Sequence, residues 1–314
     1  VSLLPWEQID MFSGNVVLTF DDLVLPGYGG MDIRIQRTFN SNSMDWRFSL
    51  GYPETIYDEG PYTRFPVVSS GDGSEHATFL TSGDWAAGVF TTSQYWRYTR
   101  PTRRLALPNG HVCEYQATLE NLAIYKLVRV ADPFGNALTV QYQADGRMRE
   151  VTQDLGSGQT RTVTFSYAAD TTTIAYGSRV WTYHYTDVTL YESVRRMLTR
   201  VSPPEGGAWV FAYLGHPREG VYARTELRVT TPDGGTVSDQ FAEVVGPTDP
   251  ETRHGTTRMV IDERSTGGAA PGVWRFCYQT PLGLWGRMLT PSHTLVRFDH
   301  QVQDPSGMGW ALTS

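Results

Sequence analysis

Between Tyr125 and Phe241 the chain repeats one phrase: a strand-like run, a turn of proline and glycine, and a second run that closes on an aromatic residue. The copies are KLVRVADPFGNALTVQY from Lys126 to Tyr142, MLTRVSPPEGGAWVFAY from Met197 to Tyr213, and ELRVTTPDGGTVSDQF from Glu226 to Phe241. One hairpin cannot bury its own apolar face, so such copies must complete one another, and the sequence describes a stack of hairpins. In each turn proline presets φ at one corner and glycine takes the positive φ that other residues resist. The turn residues are Asp132, Pro133, Gly135 and Asn136, then Pro204, Gly206 and Gly207, then Pro232, Gly234 and Gly235. A looser copy without proline runs from Arg147 to Tyr167, and alternation continues from Thr173 to Tyr185. The copies end at uneven intervals, which indicates tolerated variation in loop length and not a rigid solenoid.

Elsewhere period-two alternation marks further strands. Val16, Leu18 and Phe20 share one face, as do Met31, Ile33, Ile35 and Arg37 after a Gly/Pro connection. Pro108-Asn109-Gly110 lies between two alternating runs from Arg103 to Ala117, and Asn-Gly suits a type I′ hairpin turn. From Asn40 to Ser93 aromatic residues are scattered among Gly, Pro, Ser and Asp, so this stretch reads as an irregular cap with short strands at Ala77 to Leu80 and Tyr95 to Tyr98. Asp187 to Arg196 reads as strand, and Gly246 to Thr257 and Arg264 to Gly272 read as exposed loops. The expected fold is all-β: stacked antiparallel hairpins with an irregular N-terminal cap, in two continuous parts, 1–100 and 101–314. The chain starts without Met, and Asp304 to Gly307 opens like another repeat turn close to its end. The expectation is therefore an array truncated at its C-terminal end, with Phe298 to Trp310 covered by further repeats, a second copy or a partner.

Composition narrows the function. The 314 residues carry a net charge of −7, and Lys126 is the only lysine. The arginines are dispersed among acids, so no basic stripe forms and nucleic acid is not an expected partner. No run approaches the length of a membrane span. Cys113 and Cys277 lack the CxxC spacing of a zinc site; they read as two small buried hydrophobes, the alternative being one long-range disulfide.

Candidate chemistry is sparse. Asp21, Asp22, Asp58 and Glu59 offer carboxylates for glycoside hydrolysis, but acids in turns and after strands are more often solvated caps. The seven histidines show no HxxxH or HExxH spacing, and neither GxSxG nor GxGxxG occurs. The reading names no catalytic residue, no metal ligand and no cofactor. Trp181, Tyr183 and Tyr185 alternate along one strand face, as do Trp209, Phe211 and Tyr213. Such ladders either stack on sugars or pin adjacent strands in register.

These residues resemble the Rhs/YD-repeat family, which includes bacterial polymorphic toxins, cocoon components of insecticidal toxin complexes and the teneurin shell. RVADPFGNALTVQYQADGRMREVT follows the family's order of strand, D-P-x-G-N turn, strand ending in Tyr, then G-R before the next strand. Asp10 to Ser41, DMFSGNVVLTFDDLVLPGYGGMDIRIQRTFNS, is similar to the block that precedes the repeats in bacterial Rhs proteins. The sequence departs at Tyr142-Gln143, where the family has Tyr-Asp, and it lacks the C-terminal core with autoproteolytic aspartates. The resemblance implies a non-enzymatic segment of a hollow β-shell that encloses or delivers a toxin or other cargo domain, in a secreted or cell-surface bacterial protein. Its implied partners are the remaining repeats, the cargo domain or another protein chain. A glycan- or protein-binding adhesion module and a glycosidase-like enzyme are the alternatives. The first predicts an exposed aromatic row, the second two close carboxylates in a cleft.

Overall fold

The computed structural model describes residues 2–10, 13–59, 65–117, 123–190, 193–219, 222–248, 255–268, 271–278, 285–289, 292 and 295–299. At 216–219, 222–223, 243–248, 255–258, 277–278, 285–289 and 295–299 it describes the backbone alone. Regular structure among these residues is all strand apart from two short 3-10 turns, Tyr28–Gly30 and Arg100–Thr102. Contacts divide the chain into two units, one of Val1–Leu18, Phe39–Trp46 and Thr182–Ser314, the other of Thr19–Thr38 and Arg47–Trp181.

Strands β1 (Glu7–Ile9), β2 (Val16–Leu25), β3 (Ile33–Asn40) and β4 (Asp45–Ser49) form a four-stranded sheet in chain order. The alternation behaves as expected, with Val16, Leu18, Phe20, Ile33, Ile35 and Arg37 buried. An arginine can occupy this face because its charge is paired: Arg37 donates to both carboxylate oxygens of Asp22, at 3.0 and 3.2 Å, and lies 4.3 Å from the Phe20 ring centre.

In the second unit, β5 (Pro53–Tyr57), β6 (Val67–Ser70), β7 (Glu75–Ser82), β8 (Val89–Thr92), β9 (Arg97–Thr99), β10 (Arg104–Ala106), β11 (Val112–Ala117) and β12 (Ile124–Ala131) each pair antiparallel with the strand before. The last returns to the first through Ile124↔Tyr57, Tyr125↔Ile56 and Lys126↔Thr55. Eight strands thus close into a barrel, which removes their free edges. From Pro53 onward the described part of the expected irregular cap is therefore an ordered barrel wall, while Asp45–Ser49 belongs to the four-stranded sheet. The barrel's strands are as short as three residues, too short for alternation to register against the intervening Gly and Pro. Ala77 to Leu80 falls within β7, but Tyr95 is a turn residue at φ 64° and only Arg97–Thr99 is strand.

From β12 the sheet continues as a meander through β13 (Ala137–Tyr142), β14 (Met148–Gly156), β15 (Gln159–Tyr167) and β16 (Thr171–Tyr176). One row of paired positions, Phe90, Tyr98, Leu105, Cys113, Val130, Leu138 and Gln153, crosses barrel and meander, and every member is fully buried. Cys113 is thus a free thiol within a core row, and burial pushes its pKa up to about 12. The side chain of Cys277 lies outside the described residues.

The first unit carries most of β17 (Arg179–Leu190), then β18 (Ser193–Ser202), β19 (Trp209–Glu219), β20 (Tyr222–Thr230), β21 (Thr236–Thr248), β22 (Gly255–Gly267), β23 (Gly272–Tyr278), β24 (Trp285–Leu289) and β25 (Leu295–Asp299). From β17 onward each pairs antiparallel with the next. Asp187 to Arg196, read as strand, supplies the end of β17 and the start of β18. Arg264 to Gly267, read as the start of an exposed loop, belongs to β22 instead, and Arg264 is fully buried. Its cross-strand partner Asp239 explains this: Arg264 donates to both Asp239 oxygens, at 2.6 and 2.7 Å, and also pairs with buried Glu7. The turn at Asp304 to Gly307 and the segment 300–314 lie outside the described residues, as does the side chain of Phe298.

Candidate functional site

The turns show why the repeated phrase is spaced as it is. At Leu107–His111, Asp132–Asn136 and Thr231–Gly235 two bonds recur: the first residue's N–H donates to the carbonyl of the fifth, and the glycine N–H donates to the carbonyl of the first. Gly110, Gly135 and Gly234 have φ of 87°, 93° and 89°, and Gly206 fills the same slot at 86°. Neither Pro108 nor Asn109 has positive φ, so Leu107–His111 is not the expected type I′ turn. Pro108 and Asn109 take the two corners and Gly110 the left-handed position after them, one residue earlier than the Asn109-Gly110 corners that type I′ would use. Asp132 sets one copy: its Oδ1 accepts from Phe134 and Asn136 N–H, at 2.8 and 2.9 Å, and its Oδ2 from the Asn136 amide, at 2.6 Å. The Asn136 amide, with those N–H groups, holds its carboxyl below the usual range.

In chain order these Pro-x-Gly turns fall at every second connection, so within each unit they line one rim of the meander. Adjacent turns touch. A side chain on Gly110 would come within 2.7 Å of the Pro133 ring, and one on Gly207 within 2.4 Å of the Pro232 carbonyl oxygen.

The aromatic residue that closes the phrase has a definite task. The Tyr142 hydroxyl donates to the Leu127 carbonyl at 2.7 Å, and the Tyr213 hydroxyl to the Leu198 carbonyl at 2.8 Å. In both copies the last residue thereby latches to the second, and Tyr167 makes the corresponding bond to Met148, 2.8 Å. Burial pushes the Tyr142 phenol well above its ordinary range.

Of the six residues on the aromatic ladders, Trp181, Tyr183, Phe211 and Tyr213 are buried, and Tyr185 and Trp209 are half-buried. Phe211 packs edge-on to Trp46 with centroids 4.7 Å apart, and Trp46 donates to the Tyr213 hydroxyl at 2.6 Å. Trp209 meets Trp6 edge-on at 6.0 Å. The four buried rings fill core.

Three of the four carboxylates considered for hydrolysis, Asp21, Asp22 and Asp58, sit in separate ion pairs. Asp21 accepts from Arg34 at 2.9 Å and from Gln36 at 2.8 Å, and Asp22 holds Arg37. Buried Asp58 pairs with Arg100 at 2.9 Å and accepts from the Tyr98 hydroxyl at 3.2 Å. Glu59 is exposed at a small dent beside Tyr57 and Phe65. Among the described residues no three His, Cys, Asp or Glu gather as a metal would require, and no helix is long and apolar enough to cross a membrane.

A concavity lies where the sheet forks. The second half of β12 pairs with β13 through Arg129↔Thr139 to Ala131↔Ala137, while its first half pairs with β5. The strands part at Val128 and Val140 and leave a groove of about 780 Å³ whose walls include Lys126 and Tyr142. Lys126 donates to the Gly146 carbonyl and lies 5.3 Å from the Tyr142 ring centre. Nearby Glu54 accepts from the Leu50 N–H at 2.9 Å, and burial raises its pKa to about 7. Sequence reasoning marked Lys126 only as a lone lysine. The fork depends on β12 meeting β5, about seventy residues earlier, and no local pattern announces that.

Neither a protein-family model nor a curated protein matches this chain.

Proposed function

We propose that the chain is a non-enzymatic segment of a β-shell of the Rhs/YD-repeat kind, whose stacked hairpins enclose or deliver a cargo domain. The observation that carries the reading is the repeated latch: the closing tyrosine bonds the carbonyl of the phrase's second residue at Leu127 and again at Leu198. Two distant copies thus share a strand, a turn and a tertiary hydrogen bond, which is what a modular wall requires. The Pro-x-Gly turns favour the same reading, since each sits against the next along one rim of its unit. Burial of Trp181, Tyr183, Phe211 and Tyr213 removes most of the platform that a glycan-binding module would use. On the shell reading the partners are further repeats, the cargo domain or another chain, in a secreted or cell-surface protein. The test is limited proteolysis of the natural gene product that contains this chain. A cargo domain within a shell resists trypsin at concentrations that digest the same domain expressed alone; equal cleavage of the two would overturn the reading.

A further inference from the structure

We propose that the groove at the fork between β12 and β13 binds a small organic monoanion, a carboxylate carried on an apolar body. This goes beyond the shell reading and does not depend on it. The groove's volume, about 780 Å³, lies in the range of small-molecule sites, roughly 300–1,000 Å³. Its charges are unevenly matched. Glu114 on the wall is held by Arg104 at 2.8 Å and by Arg129 at 3.5 Å, and Asp145 by Arg147 at 2.6 Å. No carboxylate contacts Lys126 among the described residues: the Gly146 carbonyl and the Tyr142 ring engage its ammonium, and the charges of Glu54 and Asp145 act on it from beyond ion-pair distance. An ammonium has three donors, so a carboxylate at this place would meet a positive charge that no acidic side chain contacts, with donors to spare. Ile124, Val128 and Val140 supply apolar surface beside it. Glu114 and Asp145 bound the ligand's charge from the other side, since a polyphosphate would bring further negative charge against both.

The chain's only lysine gives the test a single reporter. Protein labelled with ¹³Cε-lysine shows one lysine resonance, to be followed during titration with sodium hexanoate. The expected result is a saturable shift with half-saturation at about 5 mM or below, the range for a few buried methylenes and one charge pair. 1-Hexanol and sodium chloride at matched ionic strength should not reproduce it, and sodium phosphate should bind at least about tenfold more weakly. Calorimetry on variants supplies the second readout. Lys126→Arg should keep hexanoate affinity within about threefold, and Lys126→Gln should lose at least about tenfold, with the urea midpoints of both checked for folding. A linear shift, an equal shift with chloride or hexanol, equal or tighter binding of phosphate, or undiminished affinity in folded Lys126→Gln would each overturn the proposal.

Discussion

Glu54 makes the stability of the second unit depend on pH in a direction opposite to that of ordinary salt-bridged carboxylates. Its carboxyl lies on β5, where burial outweighs the Leu50 N–H, the Ser49 hydroxyl and the charges of Arg47 and Lys126, and its pKa rises from 4.5 to about 7. In the unfolded chain Glu54 ionises near 4.5. Between that pH and about 7 the unfolded state loses its proton while the folded state keeps it, so the folded state is progressively disfavoured. The stability associated with protonated Glu54 is therefore full below about pH 4.5, falls as pH rises toward 7, and stays lost above it. A shift of about 2.5 units at ~1.4 kcal/mol per unit gives roughly 3 kcal/mol. Glu54→Gln keeps an acceptor for Leu50 and cannot ionise, so it should match the parent near pH 4.5 and exceed it by up to roughly 3 kcal/mol at pH 8. Urea unfolding of both proteins at four or more pH values, with the difference taken at each, cancels the titration of every other group. A difference that stays constant with pH, or grows as pH falls, would refute the reasoning.

Three further perturbations separate causes that look alike in the sequence. Gly135 has φ 93° and open space around it, so Gly135→Val should cost about 1–2 kcal/mol and Gly135→Asn distinctly less. Gly207 is excluded from bearing a side chain by the Pro232 backbone, so Gly207→Asn should cost about 1–3 kcal/mol with no such relief; chemical denaturation of the variants decides, and equal effects of Asn at the two sites would reject the distinction. Tyr213→Phe and Tyr142→Phe each remove a latch and leave a carbonyl short of its donor, at about 1–3 kcal/mol, whereas unchanged unfolding midpoints would mean that the latch is decorative. Arg264→Met should cost about 3–5 kcal/mol because it strands Asp239 and Glu7 in the core, and Arg264→Met combined with Asp239→Leu and Glu7→Leu should recover most of that; a triple variant as weak as the single one would contradict the charge argument.

What the sequence made legible was local. Alternation placed β2 and β3, and the Pro-x-Gly pairs placed the reversals after β10, β12, β18 and β20, because both signals depend on residues within a few positions of one another. Asn109-Gly110 alone does not settle the turn subtype at Leu107–His111, because Pro108 can take the first corner, which moves Asn109 to the second and Gly110 to the position after it. The barrel escaped because its strands are short and its closure joins Thr55, Ile56 and Tyr57 to residues near 125. Arg264 escaped for a related reason. Its neighbours Ser265, Thr266 and Gly267 resemble a loop, and only the cross-strand carboxylate of Asp239 shows why an arginine there belongs to a strand.

The fork at β12 shows how one run of residues can satisfy two pairings that the sequence presents as one. In KLVRVA, from Lys126 to Ala131, Leu127 and Val130 point into buried rows, and the alternation breaks between them because Val128 is an extra residue, a bulge against Glu114 and Tyr115 of β11. Lys126 still faces β5, while Arg129 already faces β13. Where two partners diverge, backbone carbonyls at the split lose their ladder donors and need others. Tyr142 reaches back to supply one to Leu127, and Lys126 donates to the Gly146 carbonyl in the turn between β13 and β14. The copy from Met197 to Tyr213 keeps the tyrosine latch but has Met197 where the first copy has Lys126. The latch therefore recurs in copies that close on tyrosine and not in Glu226 to Phe241, which closes on phenylalanine, whereas the ammonium in the groove belongs to the copy from Lys126 to Tyr142 alone.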